Sequence, residues 1–463
     1  MKAIITYLNK PISIAPLAMF RVLFGFIMLI SIVRFALNGW IKTLYIDPQF
    51  YFPFFGFEWV QPLGPLGMYL MFAVMAIAAM MIMIGFRYRA AVWLFFLCFT
   101  YVELIDKTNY LNHYYFVSIV SMLLIFLPAN RSFSVDSRLS PGLKVDKVPR
   151  WTIFIIQLQL AIVYFYAGAA KLNAQWLVDA MPLKIWLPAH AHLPVIGQFL
   201  KLELTAYFFS WAGAFYDLTI VFFLLNRRTR LAAYSVVVVF HLTTALLFQI
   251  GMFPYIMILA TLIFFSPEFH EKLISKINSW INLVAENSGG TEALPERQLN
   301  YKKGMSWFLG ILLVLHFSLQ LLIPLRSKLY TGEVFWTEQG YRFSWRVMLM
   351  EKAGMVVLHV TDPETNKSWE VPNYQYLTAN QEKMMATQPD MILQFAHYLE
   401  KQYQTAGYSD LKITAESYVT LNGKRSRLFI DPQTDLTQVK DGWGAKSWIL
   451  PMNQPKQISV RHD

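Results

Sequence analysis

The chain has 463 residues, of which 56% are hydrophobic and only 15% charged, and its net charge is +11. Soluble domains carry about 25% charged residues, so this composition excludes a soluble core with a tail and points to a protein that crosses a membrane several times. The positive charge then belongs to cytoplasmic loops and to contact with anionic lipid, not to nucleic acid, for which no binding signature is present.

A spanning helix needs about 20 mostly apolar residues. Nine runs qualify as candidates: 15–37, 66–86, 90–105, 114–129, 151–170, 203–225, 231–249, 251–267 and 306–325. The first carries Arg21 and Arg34 and lacks a small-residue cleavage site, so it is expected to be a retained span rather than a removed signal. The only cysteine, Cys98, lies in an apolar run, which excludes an intrachain disulfide and a cysteine-based metal site. Basic residues gather after every second run. Arg87 and Arg89 come first, then Arg131, Arg138, Lys144, Lys147 and Arg150, then Arg227, Arg228 and Arg230, and last Lys272 and Lys276. The bias of lysine and arginine to the cytoplasmic side puts these loops inside, together with Lys2 and Lys10. The 38–65 and 171–202 loops, the stretch "DKTNYLNH" and everything after residue 326 then lie on the opposite side.

The expected organisation is a multi-span membrane domain over 1–267, a polar cytoplasmic linker over 268–305, a final span over 306–325 and an extracytoplasmic β-rich domain over 326–463. "ENSGGTEALPERQ" marks the linker. In the last domain "MVVLHVTD" and "SWEVP" read as strands joined by "PETNK", and "DMILQFAHYLEKQY" has helical periodicity. "SYVTLNGKRSRLFIDP" reads as a hairpin turning at Asn422-Gly423. The fold class is therefore a polytopic α-helical membrane protein of about 8–9 spans with a C-terminal β-rich extramembrane domain.

"ELIDKTNYLNHYYF", residues 103–116, crowds hydrogen-bonding groups at the end of an apolar helix. Ionisable side chains beside a span are functional candidates. Lys107 either snorkels to the interface or pairs with Asp106, or it sits desolvated in a polar pocket with Asn109, Asn112 and His113. Desolvation lowers an amine's pKa, and a neutral amine acts as a general base near pH 7. His241 follows "VVVVF" in the seventh run and is either a core histidine or a pocket residue. Gly251 and Pro254 break the chain just beyond it, and broken helices at membrane depth often line cavities, which makes Tyr255 a candidate. Lys171 and Asn173 close "YFYAGAAKLNAQWL", where Gly168 permits close helix packing. His190 and His192 form an H-x-H with no convincing third ligand, so no metal site is expected. No GxSxG, P-loop, GxGxxG or HExxH motif occurs.

"LIDKTNYLNHYYFVSIVSMLLIFLPANRSFSVD" closely resembles the signature stretch of the vitamin K-dependent γ-glutamyl carboxylases, within the wider family that carries a horizontally transferred transmembrane (HTTM) domain. "QLQLAIVYFYAGAAKLNAQWL", "FHLTTALLFQIGMFPYIMI", "YRFSWRVML" and "RLFIDPQTDLTQVKDGWGAKSWILP" resemble later blocks of that family, in the same order. The resemblance implies an enzyme that uses vitamin K hydroquinone (a reduced naphthoquinone), O2 and CO2, with no metal. Oxygenation of the hydroquinone yields a base strong enough to take a γ-proton from a glutamate. CO2 then adds to give γ-carboxyglutamate, and the quinone leaves as the 2,3-epoxide. It also implies roles: Lys107 as the base acting on the hydroquinone, His241 and Tyr255 near the quinone, and Tyr341 and Trp345 in glutamate handling. Asn109, Asn112 and His113 join the cofactor group by their proximity to Lys107. The expected partners are a glutamate-containing protein or peptide, membrane lipid and a lipid-soluble quinone. The expected location is a bacterial cytoplasmic membrane, or the endoplasmic reticulum in a eukaryote.

The stretch "DKTNYLNH" departs from the animal pattern "DKTSWNNH", with Leu111 displacing one asparagine. The chain is also much shorter than the animal enzymes, as a microbial homologue would be, and Cys98 has no disulfide partner. These departures bear on propeptide-guided substrate capture more than on the quinone chemistry. Two alternatives stand beside the carboxylase: a quinone-epoxidising enzyme with little or no carboxylation, and a non-enzymatic membrane transporter or scaffold.

Overall fold

Ten helices of the computed structural model, which describes residues 2–284, 297–299, 301 and 303–453, correspond to the apolar runs and their extensions. They are α1 Ala15–Leu37, α2 Gly64–Ile84, α3 Tyr88–Ile105, α4 Asn112–Phe126, α5 Trp151–Lys171, α6 Glu203–Leu225, α7 Arg230–Leu247, α8 Phe253–Thr261, α9 Pro267–Val284 and α10 Lys303–Leu322. Among the described residues, seven helices (α1, α2, α3, α5, α6, α7 and α10) are long and apolar enough to cross a membrane. An eighth span arises if the segments Phe253–Phe264 and Pro267–Trp280, bent by 115° at their break, count as one. Asn112–Phe126 is apolar but shorter, at 15 residues. The protein is therefore a polytopic helical membrane protein.

Local chemistry explains where these helices stop and how they pack. Gly85, at φ +68°, ends α2 in the left-handed conformation that favours glycine. Arg21 is fully buried in α1 and donates to the carbonyls of Ile82 (2.7 Å), Met83 (2.6 Å), Ala129 (3.1 Å) and Phe133. It thereby satisfies carbonyls that the end of α2 leaves open. A Cβ on Gly25 would lie 2.4 Å from the Met83 nitrogen and 2.7 Å from the Ala79 oxygen, so α1 and α2 meet backbone to backbone there. Leu204, Phe208, Phe215 and Phe222 lie along one stripe of α6 and are all more than half exposed, as a lipid-facing helix surface requires.

The connections fall into two groups. On one side Asp136 accepts from the Arg87 and Tyr88 amides, and the Arg297 carbonyl accepts from the Asp146 amide. The strands β1 (Pro11–Ser13) and β2 (Lys147–Pro149) pair antiparallel on this side. On the other side the 38–63, 106–111 and 172–202 connections all touch the C-terminal domain. Gln394 donates to the Pro53 carbonyl, Gln381 to the Asp106 carboxylate, and Asn422 to Gln175. The stretch expected to be a linker is not all irregular, because Pro267–Val284 is an amphipathic helix. Apart from Arg297 and Gln298, "ENSGGTEALPERQ" lies outside the described residues.

The C-terminal domain holds a four-stranded antiparallel sheet in the order β4-β3-β5-β6, built from β3 Lys352–Asp362, β4 Lys367–Glu370, β5 Lys412–Leu421 and β6 Arg427–Leu428. Two helices, α11 Ala379–Met385 and α12 Pro389–Thr405, link β4 to β5. The hairpin turns at Asn422 (φ 49°) and Gly423 (φ 71°), the pair of positive dihedrals that an Asn-Gly turn supplies. The longest ladder joins β3 to β5, from Lys352 against Leu421 to Thr361 against Lys412. Leu358, Val360, Ile413 and Ala415 on this ladder are buried against Met391, Leu393 and Phe395 of α12 in one apolar cluster.

Candidate active site

Lys107 opens a tight turn just past the end of α3. Asp106 caps that turn by accepting from the Thr108 amide at 2.8 Å, and the Lys107 amide donates to the Phe52 carbonyl at 2.8 Å. The side chain is only 3% exposed, so it does not snorkel to solvent. Nor does it pair with Asp106, whose other oxygen accepts from Gln381 at 3.0 Å. The Lys107 Nζ instead lies 2.7 Å from Oδ2 of Asp390, and Arg342 Nη1 reaches the same oxygen at 2.8 Å. Asp390 occupies the first turn of α12 behind Pro389, where a helix N-terminus favours an acid.

Burial lowers the Lys107 ammonium below the ordinary lysine range; Asp390 opposes this shift and Arg342 adds to it. Burial alone would raise the Asp390 carboxyl, but Arg342 and then Lys107 outweigh it and hold the group well below the usual carboxylate range. The trio therefore has a neutral arrangement ready. With Arg342 balancing Asp390, a deprotonated Lys107 leaves no uncompensated charge.

The trio forms one wall of a cavity of about 600 Å³ between the membrane helices and the C-terminal domain. Phe54, Tyr115 and Phe343 supply its aromatic surface, and Arg326, Glu338, Asp441 and Lys446 add charge. Residues 340–348 cross the cavity as a strap without regular structure. Its non-glycine residues Phe343, Trp345 and Met348 have φ of 60°, 57° and 52°, in the left-handed region where side chains are strained. The signature stretch holds the strap in place. Tyr110 accepts from the Phe343 amide at 2.8 Å and donates to Asn112 at 3.1 Å, and Asn112 donates to the Arg346 carbonyl at 2.8 Å.

A second, smaller cavity of about 90 Å³ lies between α5, α6, α7 and α8, closed by Val347 and Met348 of the strap. Its polar groups are His241, whose Nε2 is 3.2 Å from the Tyr164 hydroxyl, and the pair Lys171–Asp217 at 2.7 Å. The His241 Nδ1 is buried without a hydrogen-bond partner. Lys171 and Asp217 are both only 8% exposed. Removing one charge of such a pair strands the other, whereas an apolar replacement of both does not. Asp217→Ala is expected to destabilise the protein by about 3–5 kcal/mol. The double variant Lys171→Met, Asp217→Leu is expected to recover most of that loss, as read by thermal unfolding in lipid nanodiscs.

The sequence-predicted residues thus separate. Lys107 lines the large cavity and His241 the small one. His113 is buried against Phe253, which stands 5.8 Å from both histidine rings, on the side of the small cavity. Asn112 ties down the strap rather than lining either space. Asn109 is half-buried in the turn after Lys107 and also lines neither. Tyr255 is 43% exposed on the outside of α8, so the helix break does not turn it inward. Trp345 is buried and stacks on Tyr115 at 4.9 Å, directly behind the cavity wall. Tyr341 packs on Phe335 inside the C-terminal domain. Sequence reasoning missed Asp390, Arg342, Tyr115 and Phe343. The Pro-Asp start of a helix was a visible signal for Asp390, but only as a cap. His190 and His192 stand 6.0 Å apart, and among the described residues no three histidine, cysteine or acidic side chains gather as metal ligands.

Fold and site together define a polytopic membrane protein whose extramembrane domain closes a charged, aromatic cavity over the span ends. Two family models match the chain in tandem: the HTTM domain over residues 9–269 and the lumenal domain of vitamin K-dependent gamma-carboxylase over residues 305–455. The chain belongs to the vitamin K-dependent γ-glutamyl carboxylase family. No solved structure matches it.

Proposed function

We propose that the protein is a vitamin K-dependent γ-glutamyl carboxylase, coupling oxygenation of a hydroquinone to carboxylation of peptide glutamate. The observation that carries this reading is the buried Lys107 amine, balanced by Asp390 and Arg342, in the wall of an aromatic cavity where the two matched domains meet. The cavity's volume falls within the range of about 300–1,000 Å³ common for small-molecule sites, and its aromatic wall suits a flat naphthoquinone ring.

When bound, the reduced quinone supplies, by reaction with O2, the strong base that a glutamate γ-proton requires and that no lysine or histidine provides. Lys107, as a neutral amine, takes the proton from the quinol hydroxyl. Asp390 holds the resulting ammonium, while Arg342 keeps Asp390 ionised in both states. Phe54, Tyr115 and Phe343 exclude water, which would quench the reacting centre. The strap brings Arg342 and Phe343 of the C-terminal domain to the same chamber as Lys107, so peptide and quinone meet there. In this reading the C-terminal domain faces the extracytoplasmic side, which the arginine-rich connections opposite to it support.

The test supplies vitamin K hydroquinone, O2, labelled CO2 and a glutamate peptide to protein in lipid. Epoxide together with labelled peptide is the expected result. Epoxide alone favours a quinone oxygenase with another acceptor, and neither product from folded protein favours a non-enzymatic transporter or scaffold.

A further inference from the structure

The charges lining the large cavity do not balance. Its cations are Lys107, Arg326, Arg342 and Lys446, and its anions Glu338, Asp390 and Asp441. Lys107 and Arg342 share Asp390, Lys446 stands 3.3 Å from Asp441, and Glu338 is held at 2.9 Å by Lys352 from behind the wall. Arg326 is left over. Its Nη1 donates to the Ile323 carbonyl at 3.1 Å and lies 3.5 Å from the Ser344 hydroxyl, and its Nη2 donates to the Arg342 carbonyl. Every one of these partners is neutral, and no carboxylate pairs with Arg326 among the described residues. The guanidinium is thus fixed in the wall by main-chain carbonyls, at the end of the last span and against the strap, with its charge uncompensated.

We propose that Arg326 is the receptor for the side-chain carboxylate of the glutamate substrate, a proposal that rests on the carboxylase reading above. A fixed guanidinium presents a planar set of donors that matches a carboxylate. Its position beside Arg342 lets the incoming carboxylate supply the counter-charge that the cavity lacks. The same contact serves the reaction. Loss of a γ-proton places negative charge next to the carboxylate, and a fixed cation there stabilises that charge as it develops. The site also explains rejection of an uncharged analogue, since a glutamine side chain would leave the half-buried guanidinium unneutralised.

The experiment measures binding of a short fluorescent peptide with one glutamate, and of its glutamine twin, to full-length protein in nanodiscs. The wild type is expected to prefer the glutamate peptide by about tenfold or more. Arg326→Gln is expected to bring the two affinities within about twofold, and Arg326→Lys, which keeps the charge but not the planar fork, to retain an intermediate preference. Equal weakening of both peptides in Arg326→Gln would make the residue a prop for the strap and overturn the proposal, as would an unchanged preference. If Arg326→Gln does not fold, Arg326→Lys decides: a raised KM for the glutamate peptide together with a lowered kcat supports the assignment, and an unchanged KM overturns it. Wild type that carboxylates peptide while Arg326→Gln keeps its preference overturns only the Arg326 assignment. Wild type that yields no labelled peptide overturns the carboxylase reading itself.

Discussion

Lys107→Ala is expected to reduce hydroquinone-dependent epoxide formation by about 100- to 10,000-fold, the usual range for removing a general base, with carboxylation falling in parallel. The substitution deletes the buried lysine amine of the large cavity, which burial shifts toward its neutral form. It leaves Asp390 paired with Arg342 at 2.8 Å, so no buried carboxylate is orphaned. The protein is therefore expected to fold with a melting temperature close to that of the wild type. Measurement of epoxide by chromatography alongside thermal unfolding separates the outcomes. Full epoxidation by the variant would remove Lys107 from the chemistry, and loss of fold would make it a structural residue.

Replacing the two partners of Lys107 is expected to move the pH dependence in opposite directions. Only the neutral amine accepts a proton, so the rate rises with pH through the pKa of Lys107. Asp390 raises that pKa and Arg342 lowers it. Asp390→Asn removes the anion, lowers the pKa and shifts the acid limb of the pH–rate profile to lower pH. Arg342→Gln removes the cation, raises the pKa and shifts the limb to higher pH, so that activity near pH 7 falls. Each shift is expected to be on the order of one pH unit, as for charged groups gathered at one carboxylate oxygen. Two limbs that move the same way would exclude this arrangement as the control on Lys107. Arg342→Lys, which retains the charge, is expected to keep the limb near its wild-type position.

The separation of site residues has a physical origin in the strap. His241, His113 and Lys107 follow one another through polar breaks in apolar helices, and a sequence reading groups them because each is a costly residue at membrane depth. Residues 340–348 divide the space they line. Arg342 and Phe343 face the large cavity, and Val347 and Met348 close the small one. Three non-glycine residues with positive φ in six positions allow one short segment to serve both walls. Helical and strand periodicity carry no information about such a conformation, so the partition could not be read from hydropathy. Tyr255 lies on the outer face of α8 for a related reason. The helix break next to it is real, but the rotation of the helix after the break sets which face points inward.

Local signals alone determined much of this protein. Apolar length marked the spans and Asn422-Gly423 marked a turn, because each depends on the properties of residues close together in the chain. Lys107 stood out for the same reason, as a lysine at the end of an apolar helix. Tertiary structure alone decided its partners. The partner Asp390 lies 283 residues away, on the C-terminal domain, where an acid near a helix start is ordinary. Coulomb forces act through space and strengthen as water is excluded. The charge that tunes a buried lysine is therefore set by which surfaces the fold brings together, and neither composition nor periodicity records that.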